Sequence, residues 1–235
     1  MESTPNLIQR DATPDTDSVR LSNTTRVEAF SDGVLAIAIT LLILNVRLPN
    51  ASGNSLLRQL THLWPEYLAY LDSFLTIGVV WLCHHAFFGR IRQVDALLAW
   101  GNLALLLTVS FVPFPTTVLA DNLPKGGQNA RVAAAFYGVV AALQAAAWLI
   151  MWTALRRRPL LFEPGFDAAY ARSESRMAWG GIILFLGCAA VGLIAPLASL
   201  TMYVLVVLGY GLTTSGLRSL QAHTRQLRIR RRPIP

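Results

Sequence analysis

The chain has 235 residues, of which 54% are hydrophobic and only 14% are charged. A soluble domain typically carries about 25% charged residues, so this composition excludes a soluble globular protein. Its apolar content also excludes a chain that is disordered throughout. The composition predicts an integral membrane protein with room for about six or seven spanning helices of roughly 20 residues each. The net charge of +7 is then typical of basic residues retained in cytoplasmic loops and requires no nucleic-acid partner.

The polar and apolar segments follow one another in a simple order. Residues 1–22 are polar and are expected to form a disordered tail. Six apolar segments follow, each long enough to cross a hydrocarbon core of about 30 Å as a helix. Pro196 separates the last two, which are therefore predicted as a helical hairpin. The predicted spans are Val27–Val46, Pro65–Phe88, Ala96–Leu119, Val132–Leu155, Met177–Ala195 and Leu200–Leu217.

The basic residues predict the orientation of these six spans. With the N-terminus inside, the inner segments hold 16 of the 20 Lys and Arg residues, and the outer segments hold four. This bias predicts a cytoplasmic N-terminus, and an even number of spans places the C-terminus on the same side. The membrane domain is predicted over residues 23–221. The basic tail, residues 222–235, is expected to attract anionic lipid at about 1 kcal/mol per basic residue; it lacks the interleaved aromatic residues that would favour nucleic acid.

Polar residues at the start of the first span are the most informative feature of the sequence. Asp32 lies inside the apolar segment, where an acid is costly and needs a partner. Because the second span runs antiparallel to the first, its last residues return to the same depth, as do the first residues of the third span. We therefore expect hydrogen bonds among side chains from all three spans. The candidates are Ser31, Asp32, Trp81, His84, His85 and Asn102.

Three stretches of sequence resemble one known family. RVEAFSDGVLAIAITLLILNVRLP is similar to the RxxxFSD first helix of the transmembrane protein 175 family, which includes prokaryotic relatives of the lysosomal potassium channel. WLCHHAFFGRI, the stretch from Asp95 to Leu103, and VPFPTTVLA resemble its second and third helices. The resemblance covers roughly residues 26–120; the last three spans match only in number and hydrophobicity.

The resemblance implies a fold and a function. The fold is an all-α integral membrane protein with six transmembrane helices per subunit, in which the first helices of a homotetramer line a central pore. The function is modestly selective potassium conduction across the plasma membrane of a prokaryote, with no enzyme activity and no cofactor besides the permeant K+. Residues matched to the family pattern give a structural polar network of Arg26, Phe30, Ser31, Asp32, Trp81, His84, His85 and Asn102.

The pore-lining positions carried over from the family are Ile37, Thr40, Leu41 and Leu44. Their spacing places them on one helix face, a pattern that by itself fits ordinary packing between helices equally well. No TVGYG filter sequence is present, so the apolar side chains are expected to form hydrophobic rings that gate by dewetting. Thr40 would add a ring of hydroxyl oxygens that ligate a partly dehydrated cation.

The chain also departs from the family pattern at two positions. Asn45 stands where members often carry Glu, which should weaken cation concentration at the outer mouth. Asp72 is an acid in the outer part of the second span, where the pattern is usually apolar. It faces an outer vestibule or lies at the membrane interface near Glu66 and Tyr67; the second interpretation is preferred.

Other functions remain open from sequence. A buried acid and paired His residues would suit a proton-coupled secondary transporter, although the sequence has no internal repeat of the kind such carriers use. A membrane subunit without conduction is a further alternative. A metal site at His84 and His85 is disfavoured, because adjacent helix residues point about 100° apart.

Overall fold

The structure is a computed structural model that describes residues 22–47, 55–162 and 168–213. The predicted disordered tail, apart from Ser22, and the predicted basic tail, residues 222–235, lie outside the described residues. Both remain predictions.

The described chain is helical apart from one short strand pair. Five helical stretches are long and apolar enough to cross a membrane, and Pro196–Gly211 is a shorter apolar stretch. An all-helical membrane fold was predicted from composition, and the structure confirms it at that level. The elements are β1 (Ser22–Asn23), α1 (Thr24–Leu41), α2 (Leu56–His62), α3 (Trp64–Phe88), β2 (Gln93–Val94), α4 (Ala96–Phe111), α5 (Pro113–Asn122), α6 (Gly127–Arg157), α7 (Ala168–Gly192) and α8 (Pro196–Thr213).

Proline sets two of the helix boundaries. α4 ends at Phe111 and α5 begins at Pro113, so the third predicted span consists of two helices. Pro196 begins α8 just after α7 ends at Gly192, as the predicted hairpin required. Proline lacks the N–H that would continue a helix but is well suited to a first turn, where that N–H has no partner.

Several predicted boundaries were wrong. The α-helical part of the first span ends at Leu41, and a 3-10 turn over Leu42–Asn45 replaces the helix predicted to Val46. Helix α2 was not predicted. α6 and α7 begin at Gly127 and Ala168, earlier than Val132 and Met177, because polar residues at the membrane surface extend a helix beyond its apolar core.

The small sheet corrects one further prediction. Ser22, assigned to the disordered tail, pairs with Val94, and Asn23 pairs with Gln93 in an antiparallel register. A second bridge joins Ile91 to Phe162. These pairings place the start of α1, the α3–α4 link and the end of α6 at one end of the molecule. The sequence predicted these three segments on the same, cytoplasmic side.

Two apolar clusters hold the helices together. In the first, Phe87 of α3 packs edge-to-face against Trp148 and Trp152 of α6, with ring centroids 5.8 and 4.7 Å apart. The second brings α6 against α7 and α8 at Gly138, where an added Cβ would clash with the hydroxyl oxygen of Tyr203. Helix α1 packs on α3 and α4 only along one side.

Candidate functional site

A buried chain of hydrogen bonds joins α1, α3 and α4. His84 Nε2 donates to Asn102 Oδ1 at 2.9 Å, because the amide oxygen can only accept. Asn102 Nδ2 donates to Ser31 Oγ at 2.9 Å, and Ser31 Oγ donates to the Val27 carbonyl at 2.8 Å. Ser31 and His84 have no exposed surface, and Asn102 is 2% exposed. These three bonds fix the relative position of three spans where lipid offers no alternative partner.

Two further contacts connect α1 to α3 beside this chain. Trp81 Nε1 donates to Asp32 Oδ1 at 3.0 Å. One helical turn nearer the start of α1, His85 Nδ1 lies 3.0 Å from Glu28 Oε1. The residues on each helix are four apart, so the two contacts are successive pairs along antiparallel helices. The rings of Trp81 and His85 also stack, with centroids 6.0 Å apart.

The structure divides the predicted polar network into three groups. Ser31, His84 and Asn102 form the buried chain. Asp32, Trp81 and His85 form the contacts beside it, and the side chain of His85 is 62% exposed. Arg26 and Phe30 take no part in these contacts. Arg26 is exposed and makes no side-chain hydrogen bond to a described residue, and Phe30 is 56% exposed.

Helix α1 has a buried side and an open side. Leu35, Ala38 and Leu42 are at most 3% exposed and pack against the subunit. Ile37 and Leu44 are 61% and 60% exposed. Only 22% of the apolar window of this span is buried, against 33–56% in the other four candidate spans. The first span is therefore the one that its own subunit covers least.

All four predicted pore-lining residues lie on the open side. Leu41 is 45% exposed, and Thr40 is also exposed. Thr40 Oγ1 donates back to the carbonyls of Ala36 and Ile37, at 3.0 and 2.9 Å. Its single hydroxyl proton is thereby used within the helix, so the oxygen lone pairs remain available on the open side.

The 3-10 turn after α1 is fixed to the proline break in the third span. Asn45 Nδ2 donates to the Pro113 carbonyl at 3.3 Å. Leu44 belongs to the 3-10 turn, in which residues three apart lie on the same side of the helix. It therefore lies on the same side as Leu41. The amide of Asn45 thus has a structural contact that the sequence did not predict.

A second polar cluster was missed by sequence reasoning. Ser73 Oγ lies 2.5 Å from Thr116 Oγ1 and 3.4 Å from the Tyr137 hydroxyl oxygen, and all three residues are buried. Asp72 adjoins this cluster and is 2% exposed. Because Asp72 is buried by the helices around α3, the alternative of an open vestibule was wrong. Its position near the membrane interface stays a prediction. Single Ser, Thr and Tyr residues in separate apolar spans carry no pattern that pairs them.

An ion pair at the start of α4 was also not predicted. The side chain of Asp95 is 1% exposed; its Oδ1 accepts from Leu98 N at 2.7 Å, and Arg158 Nη1 lies 2.6 Å from its Oδ2. An Asp immediately before an apolar helical run is a signature of a helix N-cap, so the cap could have been found. The partner from the end of α6 could not.

The two adjacent His residues do not form a metal site. His84 bonds to Asn102 inside the bundle, whereas His85 points to Glu28 near the surface. In the part of the chain that the structure describes, no three His, Cys, Asp or Glu side chains are grouped to hold a metal ion.

The fold and this site define a multi-pass helical membrane protein whose first span is anchored by a polar chain and left open on one side. The family profile described as "Endosomal/lysosomal potassium channel TMEM175" matches residues 26–113. A Streptomyces collinus protein named as a potassium channel is 45% identical over 190 residues, covering 79% of this chain and 90% of that protein. The chain belongs to the TMEM175 family, as the resemblance in its first three spans predicted.

A solved structure and a vertebrate relative extend the comparison. The crystal structure of a lysosomal potassium-selective channel TMEM175 homolog from Chamaesiphon minutus matches with a TM-score of 0.73 at 34% identity, covering 80% of this chain and 96% of that one. A Danio rerio protein named as an endosomal/lysosomal proton channel is 39% identical over 113 residues, 44% of this chain and 22% of its own length. Members of a family of ion channels are not enzymes, which confirms that prediction.

Proposed function

We propose that the protein is the subunit of a potassium channel in which four copies of α1 surround a central pore. The observation that carries this proposal is the open side of α1. Its buried side is fixed to α3 and α4, whereas Ile37, Thr40, Leu41 and Leu44 stay exposed in the part of the chain that the structure describes. A ring of subunits would give this side a function, because one helix cannot enclose an axis and closed symmetry requires several copies.

The residues on the open side would act in two ways. Ile37, Leu41 and Leu44 would form apolar rings that impede ions by excluding water. Thr40 would present four oxygen acceptors, since each hydroxyl proton is bound to its own helix. Hydroxyls bind a cation less closely than a carbonyl filter does, so modest selectivity for K+ over Na+ is the expected result.

The rest of the proposal concerns the setting of the pore. The subunit would cross the membrane six times, with the shorter α8 as the sixth span. Both termini would be cytoplasmic, in the plasma membrane of a prokaryote. The basic tail would lie against anionic lipid. Four subunits would be held in register by the polar chain of Ser31, Asn102 and His84, which fixes the angle of α1.

A reconstituted bilayer recording tests the function. With K+ on one side and Na+ on the other, and no proton gradient, the purified protein should carry current with a reversal potential that favours K+. Coupling of flux to a proton gradient, without passive current, would instead support the alternative of a proton-coupled secondary transporter. In a second recording with a proton gradient imposed, a reversal potential that follows that gradient alone would indicate a proton channel.

A further inference from the structure

Asp72 is a buried acid that the proposed pore does not use. It lies on α3 inside a membrane span, with 2% of its surface exposed. Neither oxygen of its carboxyl accepts a hydrogen bond from a described residue. An isolated carboxylate in such a place is strongly unfavourable, so this group requires a positive partner or a proton.

Hydroxyl oxygens gather around this carboxyl. Ser73 and Thr76 follow Asp72 by one and four residues on α3, and the Tyr137 hydroxyl of α6 lies 3.4 Å from Ser73 Oγ. Tyr137 approaches Asp72 and Thr76 without completing a hydrogen bond to either, and Thr76 Oγ1 is buried without a partner among the described residues. The cluster therefore contains several buried oxygens whose bonding capacity is unused.

The orientation of the Ser73 hydroxyl can be derived from its neighbours. Thr116 Oγ1 donates its one proton to the Val112 carbonyl at 2.8 Å. In the 2.5 Å contact between the two hydroxyls, Ser73 must then be the donor. Ser73 Oγ can then only accept in its 3.4 Å contact with the Tyr137 hydroxyl, which leaves one lone pair to face a cation.

A cavity adjoins the cluster. Thr76 and Tyr137 line it together with Gln144 and Tyr203 among mostly apolar side chains, and its volume is about 70 Å³. This is room for several water molecules, since one needs about 10–15 Å³ measured in the same way. Thr76 and Tyr137 are the members of the cluster that such water could contact.

We infer that this cluster is a binding site within each subunit for one monovalent alkali cation. The Asp72 carboxylate would neutralise the ion, and the hydroxyl oxygens of Ser73, Thr76 and Tyr137 would complete its coordination. A divalent ion such as Ca²⁺ takes 6–8 oxygen ligands, commonly from several carboxylates, whereas this cluster holds one. Na⁺ and K⁺ share the required chemistry. The site lies inside one subunit and depends on neither tetramer formation nor conduction.

The test measures thermal unfolding of the purified protein in detergent at mildly alkaline pH. Na⁺ or K⁺ replaces N-methyl-D-glucamine at constant ionic strength, so that the identity of the cation alone changes. The apparent midpoint should rise by about 2–4 °C and saturate, because an ion that binds the folded state stabilises it. Separate Na⁺ and K⁺ titrations show which of the two the site prefers.

Four variants locate the effect. Asp72→Asn should abolish the dependence on the alkali cation, and Thr76→Val should raise the half-saturating concentration several-fold. Asp121→Asn, which changes an exposed acid of α5, should retain the full effect. Ser110→Ala, which changes an exposed hydroxyl of α4 outside both the cluster and the proposed pore, should retain it too.

Three outcomes would overturn the inference. A midpoint that depends on pH but not on the alkali cation would mean that a proton neutralises Asp72. A cation effect that persists in Asp72→Asn would place the ion elsewhere. If Asp72→Asn is too unstable to purify, an unchanged half-saturating concentration in Thr76→Val would overturn it.

Discussion

Thr40 is the one hydroxyl among the four open residues of α1 that the proposed pore uses. Because its proton is bound to Ala36 and Ile37 carbonyls, only its oxygen can contact an ion. Thr40→Ala should lower the K⁺-to-Na⁺ permeability ratio more than it lowers total current. Thr40→Ser, which keeps the oxygen, should preserve the ratio. Reversal potentials under asymmetric K⁺ and Na⁺ measure both; an unchanged ratio in Thr40→Ala would exclude Thr40 from selectivity.

Asn102 is the central residue of the buried polar chain. Asn102→Leu leaves His84 Nε2–H without its acceptor, at about 1–3 kcal/mol for a buried unpaired group. The apparent unfolding midpoint should fall by several degrees. Trp100→Leu, two residues away at a side chain that is 71% exposed, should have little effect. The double variant His84→Leu/Asn102→Leu should be less unstable than Asn102→Leu, since both polar partners are removed; a further loss would contradict the pairing.

At the residue scale, sequence reasoning identified the polar side chains that are unfavourable inside a membrane better than it identified their hydrogen-bond partners. An acid or amide inside an apolar span must be satisfied, which marked Asp32 and Asn102. Ser73 and Tyr137 gave no such signal, because a hydroxyl within a helix can bond to its own backbone. Asp72 was recognised as unusual, but its burial depends on how α5 and α6 pack, which no local pattern encodes.

At the element scale, the ion pair between the start of α4 and the end of α6 permits a directional prediction. Asp95 is almost fully buried, whereas the side chain of Arg158 is 46% exposed. Arg158→Met strands a buried carboxylate, which should cost about 3 kcal/mol. Asp95→Asn removes the same pair but leaves the cation in water and keeps an oxygen that can cap α4, so it should cost less stability. Thermal unfolding of both variants decides the order, and a larger loss in Asp95→Asn would contradict this account of the pair.

The helices themselves were predictable to different degrees. Pro196 and Pro113 marked real breaks, because proline cannot continue the backbone hydrogen bonds of a helix. The change from α to 3-10 geometry after Leu41 was not predictable, since Leu42, Ile43 and Leu44 suit either helix. α2 lies in a segment too short and too weakly apolar to be seen beside the spans. The β1–β2 pair depends on the approach of two distant segments.

At the scale of the whole molecule, the proposed pore requires more than one subunit. The purified protein should have the mass of a homotetramer in detergent or nanodiscs by mass photometry. Asp32→Ala removes the acceptor of Trp81 Nε1 and loosens α1 on α3, so the tetramer yield should fall. A wild-type protein found only as a monomer or dimer would exclude a central pore built from four first helices.

A matched pair of variants tests the central claim that the open side of α1 lines the ion path. Ile37→Asn places a polar group at an apolar ring, where it would give water a partner and ease ion passage. Ile183→Asn is the control, because Ile183 of α7 is 68% exposed against 61% for Ile37 and undergoes the same change. Ala38 and Leu42 are less suitable controls, since both are buried and their replacement would disturb packing.

Single-channel recording of the wild type and of these two variants in symmetric K⁺ is the most direct measurement. The proposed pore predicts a higher K⁺ conductance in Ile37→Asn and an unchanged conductance in Ile183→Asn. Equal conductance in Ile37→Asn and the wild type, together with a rise in Ile183→Asn, would show that the ion path lies elsewhere and that the open side of α1 faces lipid or another subunit.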